Sequence, residues 1–289
     1  MTAPSRRTAY AVLGLLYLVG WGPGLVSALL VAAHARERGT IGPAAAALGA
    51  VQLLATGAAV LALVGCLARL SGLGLAELGL APAPRGRRVR DLDCALAYLT
   101  ALLLGGVLMG LAGSSGYPYG GAWYALPTLV SSALAGPTEE LALLALPALL
   151  LRRAGEPPWR AGLVLVLVRL SFHVYYGLPV LGLLPWAVTA FVLVWRTGRV
   201  LPLVVAHSAW DLLSLGAHWS LLVRAVFELL VLAVLVLALG RGTLRLVRRR
   251  RPQAEDTTTS TAPSSPAATS GSSASTMQNR WPSRSRSTV

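Results

Sequence analysis

The sequence predicts an all-α, polytopic membrane helix bundle of about eight transmembrane helices. Of its 289 residues 55% are hydrophobic and only 12% charged, whereas soluble domains carry about 25% charged residues. Mean hydropathy is +0.65. A span needs about 20 apolar residues, and the chain offers a series of such runs separated by short polar breaks. These observations exclude a water-soluble globule.

The runs fall at 8–33, 43–69, 92–113, 122–151, 160–177, 180–195, 200–216 and 220–240, the sixth and seventh being the shortest. Arg6 and Arg7 precede the first as they would a signal peptide. That run is too long, however, and lacks a convincing Ala-x-Ala-like cleavage site before His34, so it is expected to remain as a helix. After the second, LGLAELGLAPAP at 73–84 reads as an interfacial helix with Glu77 on its polar face, ended by prolines. The third contains Gly106 and Gly110, a small-xxx-small step suited to helix contact. In the fourth, Pro137 frees backbone groups that a neighbouring hydroxyl can satisfy. In the eighth, Arg224 and Glu228 stand one turn apart and can neutralise each other. A transmembrane domain over 1–251 is followed at 252–289 by a Ser/Thr/Pro-rich stretch with no apolar period, expected to be a disordered cytoplasmic tail.

The formal charge is +14, and all 25 basic residues are Arg. Their placement is a topology signal, because cytoplasmic loops hold the excess positive charge. With the N-terminus inside, the inner segments collect Arg6, Arg7, Arg69, Arg85, Arg87, Arg88, Arg90, Arg152, Arg153, Arg160, Arg196, Arg199 and the Arg241 to Arg251 cluster. The outer loops hold Arg36 and Arg38, diluted by Glu37. The expectation is a multi-pass protein of the cell membrane with both termini cytoplasmic. Its partners are the lipid bilayer and a peptide or protein embedded in or associated with it, and no nucleic acid. Cys66 and Cys94 lie in or beside apolar runs without metal-binding spacing and read as packing residues.

Ionisable residues inside a span cost roughly 2.5 to 3.5 kcal/mol on insertion scales and are functional or paired by default. Span four carries Glu139 and Glu140, span five Arg169 and His173, span seven His207 and Asp211. At about 1.5 Å per residue these can meet near one depth. His207 and Asp211 share a helix face, as do Arg169 and His173, while Glu139 and Glu140 point about 100° apart. One intramembrane His commonly serves only as a helix-to-helix hydrogen-bonding group. Six such residues together are an expensive route to packing, since buried ion pairs rarely outperform apolar contacts. As a set they suit hydrolysis: a glutamate can activate water, an imidazole can orient that water or bind a metal, and an imidazole with a second polar residue can stabilise an oxyanion. Tyr175, Tyr176 and Trp210 are either cleft or packing residues.

Glu139-Glu140, Arg169 to His173 and His207 to Asp211 resemble, in order and spacing, the EExxxR, FxxxH and HxxxN or HxxxD motifs of the CPBP family, the intramembrane CAAX-protease and bacteriocin-processing (Abi) proteins. The resemblance covers about 122–216. Two positions depart from it: Leu144 stands where the family has Arg, and Arg169 where it has Phe. A relocated guanidinium reconciles them, Arg169 pairing with Glu140 from another helix. The resemblance implies an intramembrane endopeptidase whose catalytic set is Glu139, Glu140, His173, His207 and Asp211, with Glu139 the base, His173 its partner in activating water, and His207 with Asp211 the oxyanion-side pair. Family sites are read either as glutamate-activated water or as a metalloprotease, so Zn²⁺ held by Glu139, His173 and His207 stays open. The other readings are a non-catalytic immunity protein or scaffold of the same fold, supported by Leu144, and a proton-coupled transporter.

Overall fold

The computed structural model describes residues 4–32, 42–81, 88–113, 125–217 and 220–250. The chain divides into a unit of Met1–Thr243 and a second of Leu244–Val289. The expected tail at 252–289 lies outside the described residues.

Among the described residues the elements are helical and eight helical rods follow one another in chain order. They are α1 (Arg6–Ala32), α2 (Pro43–Leu70), α3 (Arg88–Leu111), a broken rod of α4 (Ala125–Thr138) and α5 (Leu146–Arg153) joined by a π-helical segment at Glu139–Ala145, α6 (Pro158–Ser171), α7 (Leu184–Thr197), α8 (Leu201–Gly216) and α9 (Leu221–Arg250). Short 3₁₀ turns at Val174–Tyr176 and Leu178–Leu183 lead from α6 into α7. Six rods are long and apolar enough to cross a membrane. The two short ones are the fifth and seventh, not the sixth and seventh. Helix α6 stops at Ser171, and the sixth rod counts from Leu178 once its 3₁₀ lead-in is included.

The Ala125–Arg153 rod is the axis of the bundle: its most apolar window is 78% buried, against 6% for that of α9, whose Leu229, Leu232 and Val236 face outward. Helix α4 packs against α2 and α8, and α3 against α7 and α8. Gly136 sets the α4–α8 approach, because a Cβ there would overlap the Val204 carbonyl and the Ser208 hydroxyl. Pro137 has no N–H to offer the Ala133 carbonyl one turn back. The Ser208 hydroxyl donates to that carbonyl at 3.0 Å, while Thr138 Oγ1 donates to Leu134 O at 2.7 Å. The freed backbone is thus satisfied by a hydroxyl from the neighbouring helix.

Residues 73–80 form turns, not the interfacial helix expected there. Gly79 takes φ +75°, and a Cβ on it would overlap the Gly198 carbonyl. In that pose its own carbonyl accepts the N–H groups of Val200 and Leu201 at the start of α8. A continuous helix could not supply this cap. The Glu77 carboxylate accepts the Gly74 N–H at 2.9 Å. Backbone N–H groups, its own and that of Gly74, hold its pKa below the usual glutamate value. Gly106 and Gly110 meet nothing within 4 Å among the described residues; the close glycine approach on α3 is Gly105 against the Gly182 carbonyl. Arg224 and Glu228 pair at 2.9 Å on the exposed face of α9, as their spacing predicts.

Candidate active site

The site forms where the axial rod changes its winding. Glu139 and Glu140 open the π-helical segment, whose seven residues are all buried. Widened turns of this kind recur at functional sites because they rotate side chains out of α register. The two neighbours end in different surroundings.

Glu140 is fully buried and saturated. Arg169 reaches it from α6 as a fork, Nη1 to Oε2 at 2.9 Å and Nη2 to Oε1 at 2.6 Å. Tyr98 on α3 donates its hydroxyl to Oε1 at 2.6 Å, and His207 Nδ1 lies 2.9 Å from the same oxygen. A bidentate guanidinium is the geometry that best compensates a carboxylate removed from water. Arg169, itself fully buried, also lies over the Trp186 ring at 4.2 Å. The guanidinium has therefore moved helices as the sequence suggested, with Leu144 wholly buried in the apolar core.

Glu139 is 8% exposed and poorly partnered. Its Oε2 has no hydrogen-bond partner, and Arg169 Nη2, in ion-pair contact, is 3.8 Å away. His207 spans the gap between two carboxylates, with Nδ1 on Glu140 and Nε2 3.5 Å from Asp211 Oδ2, one turn along α8. Asp211 is the most open of the set, its side chain 31% exposed.

His173 joins the group by a different route. It follows the end of α6, its Nδ1 3.0 Å from the Arg169 carbonyl. Its ring sits among Phe172, Tyr175, Tyr176 and Trp186, stacked on Tyr176 at 6.2 Å. Trp186 is the common wall, with ring contacts to His173 at 5.8 Å, His207 at 5.4 Å and Tyr98 at 6.4 Å. Trp210 instead packs on Phe227 of α9.

The structure thus links Glu139, Glu140, Arg169, His207 and Asp211 by direct polar contact and brings His173 to them through Arg169 and Trp186. Sequence reasoning missed Tyr98 and Trp186. The available signal was an aromatic hydroxyl deep in an apolar run, which needs a hydrogen-bond partner when buried. Among the described residues no three His, Cys, Asp or Glu side chains are grouped so that they could hold one metal ion. His207 Nδ1 is turned to Glu140 and His173 Nδ1 to a backbone carbonyl. Such Nδ1 contacts are also those a zinc-ligating histidine makes with its second ring nitrogen and do not argue against Zn²⁺; the described side chains are simply not grouped around one point.

A family model described as type II CAAX prenyl endopeptidase Rce1-like matches residues 121–213, less than half of the chain but including every site residue except Tyr98. The resemblance carried by the motifs is borne out over that segment. Over that segment the chain is similar to CAAX-type membrane endopeptidases, and with six membrane-long helices among the described residues it is a multi-pass membrane protein. No curated protein and no solved structure matches the chain.

Proposed function

We propose that this protein, whose residues 121–213 are of the Rce1-like CAAX endopeptidase type, is an intramembrane peptidase that cleaves a peptide bond with water activated by Glu139. The observation that carries this reading is the contrast between the two glutamates. Glu140 has four donors on its two oxygens, and Glu139 has an oxygen with none. A carboxylate saturated by donors is a poor base, whereas one with an open acceptor can take a proton from water.

Glu139 removes a proton from water, and the resulting hydroxide attacks the scissile carbonyl carbon. The carbonyl oxygen becomes an oxyanion, and the Nε2–H of a doubly protonated His207, whose two ring nitrogens both face carboxylates, is the donor nearest to hand. Its contact with Asp211 is long at 3.5 Å, so a substrate oxygen can displace the carboxylate. Glu140 holds the other ring nitrogen and fixes the imidazole's orientation, as a carboxylate behind a catalytic histidine does. When the tetrahedral intermediate collapses, the carbon–nitrogen bond breaks and Glu139 returns its proton to the leaving amine. His173, walled by aromatic rings, orients the water or the adjoining peptide. The substrate is a membrane-embedded or membrane-associated polypeptide.

The test is digestion of a membrane proteome by purified protein beside its Glu139→Gln form. The expected outcome is loss of cleavage with insertion unchanged, since the amide keeps the shape and loses the base. A fully active Glu139→Gln protein overturns the peptidase reading in favour of a scaffold or a proton-coupled carrier.

A further inference from the structure

Glu139 stands at a boundary between two sides of the bundle. One side holds Arg169, His207 and Asp211. On the other it lines a cleft of about 110 Å³ between α1, α2 and α4, and no histidine is among the lining residues. Two glycines of this cleft bring the helices together. A Cβ at Gly20 would lie 3.1 Å from Val60 Cγ2, and one at Gly57 only 2.8 Å from Leu134 Cδ1. The helices therefore touch beside the space without filling it. Thr56, Ser131 and Thr138 bring hydroxyls to a wall otherwise mainly apolar, and Glu139 also lines the space.

An apolar cavity of this size stays dry. A cavity holds water when it offers two to four polar partners and about 30 Å³ per molecule. Three hydroxyls and the Glu139 side chain meet that condition for a few molecules. We propose that the cleft between α1, α2 and α4 is a water site that delivers the hydrolytic water to Glu139, while the peptide reaches the same carboxylate from the His173 and His207 side. The proposal rests on Glu139 as the base. It assigns α1 and α2, outside the family match, a part in the reaction. Each turnover uses one water: its proton goes to Glu139 and then to the leaving amine, and its oxygen bonds to the carbonyl carbon.

The test uses the full chain in liposomes, with Cys66 and Cys94 replaced by Ala and one new thiol at a time. The probe is the silver ion, which is close to water in size and combines with thiols where water reaches them. Ser131→Cys and, independently, Thr56→Cys should take up silver at least tenfold faster than Leu54→Cys, on the outward face of α2 where the side chain is 51% exposed. Ser131→Leu, which fills the cleft, should lower kcat at least tenfold with KM little changed, because peptide binding is on the other side. Uptake at Ser131→Cys and Thr56→Cys no faster than at Leu54→Cys overturns the proposal, showing a dry space or one held by a lipid chain. Ser131→Leu with unaltered kcat overturns it as well. Fast uptake alongside full activity of Glu139→Gln would leave the water site standing and remove the base, so the two readings fail separately.

Discussion

Arg169 and Tyr98 show what a buried carboxylate demands of its neighbours. Removing one partner of a buried pair leaves a charge without compensation, at a cost of about 3–5 kcal/mol. Arg169→Leu should therefore lose activity and lower the midpoint of thermal unfolding in detergent. An unaffected variant would show that Glu140 does not depend on the fork. Tyr98→Phe keeps the ring contacts with Trp186 and His207 and deletes one of three donors to Oε1. Hydrogen bonds to charged groups contribute about 1.5–3 kcal/mol, so the loss should be smaller than for Arg169→Leu. It should fall more on kcat than on KM, since the hydroxyl steadies the carboxylate that orients His207 and touches no substrate. At the same scale, a chelator should leave the rate unchanged under the Glu139 mechanism, and loss restored by added Zn²⁺ would return Glu139, His173 and His207 to a ligand role.

The winding of one rod decides where its carboxylates point. In an α-helix residues 140 and 144 would share a face, and an Arg introduced at Leu144 could replace Arg169. Glu139–Ala145 is π-helical, and Leu144 is wholly buried. Arg169→Leu combined with Leu144→Arg should accordingly recover neither stability nor activity, measured beside the single variant. Recovery would mean that this segment can return to α register. The α4–α8 crossing is as constrained. Gly136→Ala drives a methyl into the Val204 carbonyl and the Ser208 hydroxyl, and overpacking of this kind costs about 1–3 kcal/mol. A lowered unfolding midpoint checks it, and an unchanged one would mean that the two helices separate freely.

Across the whole molecule, one end of the bundle is tied by arginines. Arg6 meets Glu156 at 3.2 Å and the Gly155 carbonyl at 2.9 Å, Arg153 reaches Ser71 O, Arg152 reaches Trp195 O, and Arg199 grips Asp91 with both Nε and Nη2. These contacts join the first turn of α1 and of α3 to the ends of α2, α5 and α7, segments that the arginine distribution leads us to expect together on the cytoplasmic face. Reporter fusions at residues 118 and 255 should report opposite sides of the membrane, with 255 cytoplasmic. The same side at both would mean that one of the short rods, α6 or α8, does not cross.

Helix class, rod order and the identity of the polar set follow from the sequence alone, because an apolar run long enough to span and a charge inside it are local, costly features. His207 and Asp211 at four-residue spacing meet in the fold at 3.5 Å, and Arg169 finds Glu140, as their residue types required. Three features needed the tertiary structure. The division of labour between Glu139 and Glu140 comes from a π turn whose winding neither propensity nor periodicity encodes. Tyr98 enters from α3, 42 positions away, because packing and not spacing brings its hydroxyl to Oε1. Residues 73–80 abandon an amphipathic pattern for turns, because the Gly79 carbonyl caps α8 and only a residue without Cβ fits beside the Gly198 carbonyl. A chain read along its length reports the cost of burying a group, and only the folded neighbours decide which group compensates that cost.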